Sequence, residues 1–183
     1  MKRVIFSAVT GIAAIAMAPG AQAATFPVGS ANFTATPGPN GSVAGAFFNT
    51  GIAAGAFSDT FTFTLPVNGF GSGTVTTSTN FVGSPNDLDF TSVLINNTAA
   101  SITRLSSGAY EFAFANLVPI TAGQLNTITV TGLSRGNGAY GGQASFIPSV
   151  VPEPSTWALM FVGFALVGGA ARFRRRSTNV VYA

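Results

Sequence analysis

The sequence predicts an all-β body, an antiparallel β-sandwich of the jelly-roll kind with a closed barrel as the alternative, carried between two apolar helical ends. Three observations predict it. Residues 24–150 are rich in Gly, Thr, Ser, Asn and Phe and poor in charge, a balance that favours strands and turns over helices. The best-defined segment, Ile52 to Leu65, alternates apolar and polar residues with the period of a half-buried strand. Turn-forming clusters also recur often enough to delimit eight or nine short strands, the layout of a sandwich.

The amino end begins with Lys2 and Arg3, continues as an apolar stretch from Val4 to Ala18, and reaches Ala21-Gln22-Ala23 ahead of Ala24. This is the three-part layout of a secretory signal peptide with an Ala-x-Ala site, so residues 1–23 should be a helical leader cleaved after Ala23. A chain so equipped uses the Sec translocon and signal peptidase. Thr25 to Ala35 reads as a weak opening strand, Thr36-Pro37-Gly38-Pro39-Asn40-Gly41 as a turn, and Ser42 to Asn49 as a short strand. In Ile52 to Leu65, Phe57, Asp59, Phe61, Phe63 and Leu65 face one way while Ser58, Thr60, Thr62 and Thr64 face the other.

After Pro66 and Asn68-Gly69, the Thr/Ser-rich stretch Ser72 to Phe81 reads as an edge strand. Leu88 to Asn96, apolar on both sides towards its end, reads as a central one. Asn96-Asn97 turns into Ala99 to Leu105, and Ser106-Ser107-Gly108 turns into Ala109 to Leu117, where Tyr110, Phe112 and Phe114 share a face. Leu125 to Leu133, the loop Arg135-Gly136-Asn137-Gly138 and the strand Tyr140 to Phe146 complete the body.

Charge and composition exclude several functions. The formal charge is +3, yet six of the eight basic residues lie in the two ends. Between Ala24 and Val150 only Arg104 and Arg135 oppose Asp59, Asp87, Asp89 and Glu111, a balance of −2. A basic surface for nucleic acid is absent. The chain has no cysteine and no histidine, so disulfides, thiolate metal sites and the commonest general base are missing, and the body has no lysine to replace that base. Serine nucleophiles therefore lack an ordinary activator. Four carboxylates would suffice for a glycosidase pair, but nothing in their spacing sets two across a cleft. Gly136-Asn137-Gly138 lacks the lysine and strand-to-helix setting of a phosphate loop. The chain reads as a non-enzyme.

Two carboxylate positions stand out. Asp59 shares a face with Phe57, Phe61 and Phe63, where a bare charge is costly, so it must be protonated, paired or hydrogen-bonded. Arg104 and Arg135 are the cations the body offers. A structural tie and a ligand or catalytic role both remain open. Asp87 and Asp89 flank Leu88 after Ser84-Pro85-Asn86, a turn whose carboxylates could present oxygens to calcium or serve as a solvated turn with Asx-type bonding. No other metal ligand set or cofactor is indicated.

The carboxyl end carries the most specific signal. Pro152 and Pro154 hold Glu153 extended, and a helix can begin only after them. From Thr156 to Ala171 the chain carries no charge over 16 residues, roughly 24 Å of helix, a marginal membrane span. Trp157 at one end and Arg172, Arg174, Arg175 and Arg176 at the other are suited to the two interfaces, with the arginines cytoplasmic. A buried core helix is the alternative, disfavoured because no polar face exists.

Pro152-Glu153-Pro154-Ser155-Thr156-Trp157-Ala158, the apolar run and the arginine cluster together resemble the PEP-CTERM sorting signal in its Trp-Ala variant. The resemblance implies export in a Gram-negative bacterium, handling by an exosortase, which is a membrane-embedded cysteine-type transpeptidase, and an exopolysaccharide nearby. The resemblance covers about Val151 to Arg176, and with the leader and the strand pattern the chain divides into a signal peptide (1–23), a sandwich (24–150), a sorting signal with transmembrane helix (151–176) and a tail (177–183). Phe57-Ser58-Asp59-Thr60-Phe61, Asp87-Leu88-Asp89-Phe90 and Ser134-Arg135-Gly136-Asn137-Gly138 are similar to the FxDxF family of PEP-CTERM proteins, which brings no activity with it. The expected role is structural, at the cell surface or in the matrix. The alternative is a lectin-like module using Tyr110, Tyr140 and the Asp87/Asp89 turn.

Overall fold

A computed structural model describes residues 21–149 and 154–174. The expected leader helix over Val4 to Ala18, together with Pro152, Glu153, Arg175, Arg176 and the tail, lies outside the described residues. The chain divides into a β-rich unit ending at Pro148 and a second unit beginning at Ser149.

The β unit contains β1 (Gln22–Pro27), β2 (Phe33–Pro37), β3 (Val43–Ile52), β4 (Gly55–Phe63), β5 (Gly69–Ser78), β6 (Leu88–Ile95), β7 (Thr98–Ala99), β8 (Ser101–Leu105), β9 (Tyr110–Ile120), β10 (Asn126–Ser134) and β11 (Gly138–Pro148). One sheet has the order β1-β4-β10-β6-β7, the other β2-β3-β11-β5-β9-β8. All pairings are antiparallel except that of β1 with β4, which is parallel.

The two sheets share one core. Phe61 of β4 lies 5.1 Å from Phe26, 4.9 Å from Phe47 and 5.7 Å from Phe33 between ring centroids, so rings from both sheets meet at one point. Such contacts add to the roughly 1.5–3 kcal/mol that burying each large apolar side chain contributes. The alternation expected in Ile52 to Leu65 is observed, with Phe57, Asp59 and Phe61 buried. Tyr110, Phe112 and Phe114 do share a face, but it is the outward one; Glu111, Ala113 and Ala115 fill the inward positions.

Three expectations are corrected. The single opening strand Thr25 to Ala35 is two strands in different sheets, divided by a turn at Val28-Gly29-Ser30 in which Gly29 takes φ +92° and the Ser30 amide donates to the Pro27 carbonyl at 3.1 Å. The Ser72 to Phe81 stretch is not an edge: β5 lies between β11 and β9. Most of its hydroxyls lie on the outer face, while Gly71 and Val75 are buried together with Thr77, whose hydroxyl donates to the Ala139 carbonyl at 2.8 Å. Leu88 to Asn96 is not apolar on two faces. A bulge opposite Thr131/Gly132 switches the phase of β6, so Leu88 and Phe90 before it and Val93 and Ile95 after it all point inward. β6 accordingly has only the two-residue β7 on its outer side.

Beyond the β unit, α1 (Pro154–Arg174) is one continuous helix of 21 residues.

Candidate functional site

Pro154 occupies the first helical position of α1, where its missing N–H costs nothing and its fixed φ is already helical. Trp157 closes the first turn and Ala158 follows it, and Arg172 and Arg174 lie in the last, where cations suit the carbonyl end of the helix dipole. At the usual rise 21 residues span about 31 Å, matching a hydrocarbon core better than the uncharged run alone. Leu159, Phe161, Val162, Phe164, Leu166 and Val167 are exposed around the whole circumference. By length and composition, Ser155–Arg174 can cross a membrane.

A scan against family models matches residues 150–176 to the PEP-CTERM protein-sorting motif. The chain carries a PEP-CTERM sorting motif. No curated protein and no solved structure matches the chain. The PEP-CTERM signal implies processing by an exosortase, and with its apolar helix it fits export and transient membrane anchoring.

Upstream of the PEP-CTERM segment, Ala21 is exposed just before β1, while Ala23 and Ala24 lie within it, opposite Ser58 and Asp59. Asp59 is buried, and its Oδ2 accepts hydrogen bonds from the Tyr140 hydroxyl at 2.7 Å and the Asn49 Nδ2 at 2.8 Å. Tyr140 is stacked against Phe57 and meets Phe61 and Phe90 edge-on. Burial, and then the bond to Asp59, push the Tyr140 hydroxyl far above its ordinary range and keep it a donor. The Asp59 partner is therefore a phenol and an amide rather than either arginine, because β3 and β11 of the opposite sheet bring those groups across the core.

Arg104 instead meets Glu111, the residue that sequence reasoning passed over. Glu111 is fully buried; its Oε1 accepts from Arg104 Nε at 2.5 Å and its Oε2 from the Phe90 amide at 2.7 Å. Arg104 Nη2 donates in turn to the Phe90 carbonyl. The bulged β6 has a ladder partner on its outer side only at Leu94 and Ile95, so the pair from β8 and β9 satisfies the backbone of Phe90 and caps the open edge. The available signal was Glu111 alternating with Tyr110 and Phe112.

Arg135 joins the two turns. Its Nη1 reaches Asp87 Oδ2 at 3.1 Å and its Nη2 reaches Asp89 Oδ2 at 2.7 Å, while its amide donates to the Asp87 carbonyl at 3.0 Å. Asp87 Oδ2 also accepts from the Gly83 amide at 2.5 Å. Arg135 engages one oxygen of each carboxylate, and among the described residues no group of three or more His, Cys, Asp or Glu residues is placed to hold a metal ion. The Asp87-Leu88-Asp89 and Ser134 to Gly138 stretches, 46 residues apart, are thus brought together as one docked loop pair.

Proposed function

We propose that this chain is an exosortase-sorted, non-catalytic structural protein of the cell surface or the exopolysaccharide matrix, of the Trp-Ala variant of the signal and the FxDxF kind. The PEP-CTERM match carries the sorting half of this reading. The non-catalytic half is supported by the carboxylates of the body. Asp59, Asp87, Asp89 and Glu111 are each held by donors from another strand or loop, and no two of them face each other across an open cleft. The order β3-β11-β5-β9 in one sheet and β4-β10-β6-β7 in the other supports a jelly roll of eight strands. Calcium-dependent lectin action through Tyr110, Tyr140 and Asp87/Asp89 is the weaker reading, since Tyr140 is only 4 % exposed and Arg135 holds the turn.

Intact mass of the exported protein from a host carrying an exosortase tests the reading. The expected species begins at Ala24 and lacks Trp157 to Arg176. A surface species that retains that segment overturns exosortase processing and leaves a simple membrane anchor.

A further inference from the structure

We propose that the outer face of the six-stranded sheet is a binding trough for a neutral polysaccharide chain. The pairing registers align Thr34, Ala46, Gln143, Thr74 and Phe114 in one rung across β2, β3, β11, β5 and β9. Around Gln143 the lining is small, with Ala44, Gly45, Ala46, Gly73 and Ala144, and the face holds an open depression of about 620 Å³. It continues over Gly141 and Thr76 with about 480 Å³ more. An elongated depression suits a chain rather than a compact ligand.

The lining fixes the chemistry of the occupant. It contains no charged side chain, which leaves nothing to neutralise a phosphate or carboxylate polymer. Phe114, 46 % exposed at one wall, offers a ring face for stacking on the C–H face of a sugar. The rest is hydroxyl, amide and small apolar surface, lacking the aromatic and aliphatic anchor cluster that a protein partner would need.

One amide is held ready. The register of β5 with β9 shifts between Gly71 and Gly73, and opposite that bulge Leu117, an exposed non-glycine residue, is held at φ +53°. Asn116 Oδ1 accepts from Ser72 Oγ at 2.5 Å and from the Leu117 amide at 3.0 Å, so the bulge orients the carboxamide. Among the described residues neither Asn116 Nδ2 nor the Gln143 side chain has a hydrogen-bond partner, and both line the trough. A glycan meets the oriented Asn116 amide beside the Phe114 ring, with Gln143 free to adjust, a site preorganised at one donor.

The inference deepens the matrix reading and rests on it for the class of partner. Sorting is read by mass and binding by titration, so either can fail alone. The test is calorimetric titration of the full-length protein in detergent micelles with cellohexaose, dextran and mannan, with alginate as the anionic comparison. Saturable binding to at least one neutral glycan is expected, weakened at least tenfold in Phe114→Ala and in Asn116→Ala/Gln143→Ala, with melting temperatures unchanged. No binding to any neutral glycan, binding confined to alginate, or undiminished binding by both variants overturns the proposal. A concentration-dependent dimer abolished by Phe114→Ala overturns it in favour of self-association.

Discussion

Replacing Arg104 by Met tests what holds the open edge of β6. The substitution keeps most of the stem but strands the Glu111 carboxylate, fully buried, with the Phe90 amide as its remaining donor. Breaking a buried pair by removing one partner costs about 3–5 kcal/mol. Arg104 is itself 51 % exposed, so solvent weakens the attraction and the lower end, about 3 kcal/mol, is expected. The double variant Arg104→Met/Glu111→Leu separates the pair from its backbone duty. Apolar replacement of a buried ion pair is often neutral. Here it leaves the Phe90 amide and carbonyl without partners, at about 1–3 kcal/mol for each buried group, so the double variant should stay destabilised by at least 2 kcal/mol. Urea unfolding followed by the strand signal in circular dichroism reads these as midpoint shifts of at least about 1 M for the single variant and about 0.7 M for the double, given slopes of about 1–3 kcal/mol/M. A double variant as stable as the parent would refute the edge-capping account, and an unaffected Arg104→Met would show that water reaches Glu111.

Tyr140→Phe removes one hydroxyl without opening a large cavity and should cost about 1.5–3 kcal/mol, the scale of a hydrogen bond to a charged group, seen as a lowered melting temperature. Asp59→Asn keeps an acceptor for Tyr140 and strands no cation, so a loss nearer 1–2 kcal/mol is expected in the same melt; a loss on the scale of a broken ion pair would contradict the Tyr140 and Asn49 partnership. Because the Tyr140 hydroxyl is raised in the folded state, its contribution is complete below the unfolded tyrosine pKa of about 10 and declines as the pH rises beyond it, where only the unfolded chain releases the proton; Tyr140→Phe should flatten that alkaline limb in urea midpoints measured against pH. Gly132→Ala puts a Cβ 2.6 Å from the Phe57 ring and against the Asp89 carbonyl at the bulge, and should destabilise by about 1–3 kcal/mol in thermal unfolding.

Periodicity reports which side of a strand is buried, and it did so for Phe57, Asp59 and Phe61. It cannot report what waits on the other side of the core. The partners of Asp59 come from β3 and β11, 10 and 81 residues away, and no local pattern links them. The remaining misreadings have separate causes, a turn at Gly29 for the opening strand among them. The phase switch in β6 imitates a strand buried on both faces, and a hydroxyl-rich outer face made β5 look like an edge although glycines let its inner face pack closely. The sorting segment was legible because its signal is local: proline placement, an uncharged run and a basic cluster act in order along the chain.

The allocation of charge links these observations. Residues 24–149 hold six charged side chains. Glu111 and Arg104 close the β6 edge, Asp87, Asp89 and Arg135 dock two turns, and Asp59 holds Tyr140 across the core. With every carboxylate and guanidinium bound in place, the trough on the six-stranded sheet is left to hydroxyls, amides and one exposed ring. Polar groups of that kind keep their hydration until a partner supplies matching hydrogen bonds, whereas an uncompensated charge would repel or trap polyanions. Introducing Thr74→Lys at the trough floor should therefore leave melting unchanged, since Thr74 is exposed, while shifting retention in the same titrations from the neutral glycans towards alginate. A lysine there that changes neither preference would mean that glycans do not enter the trough.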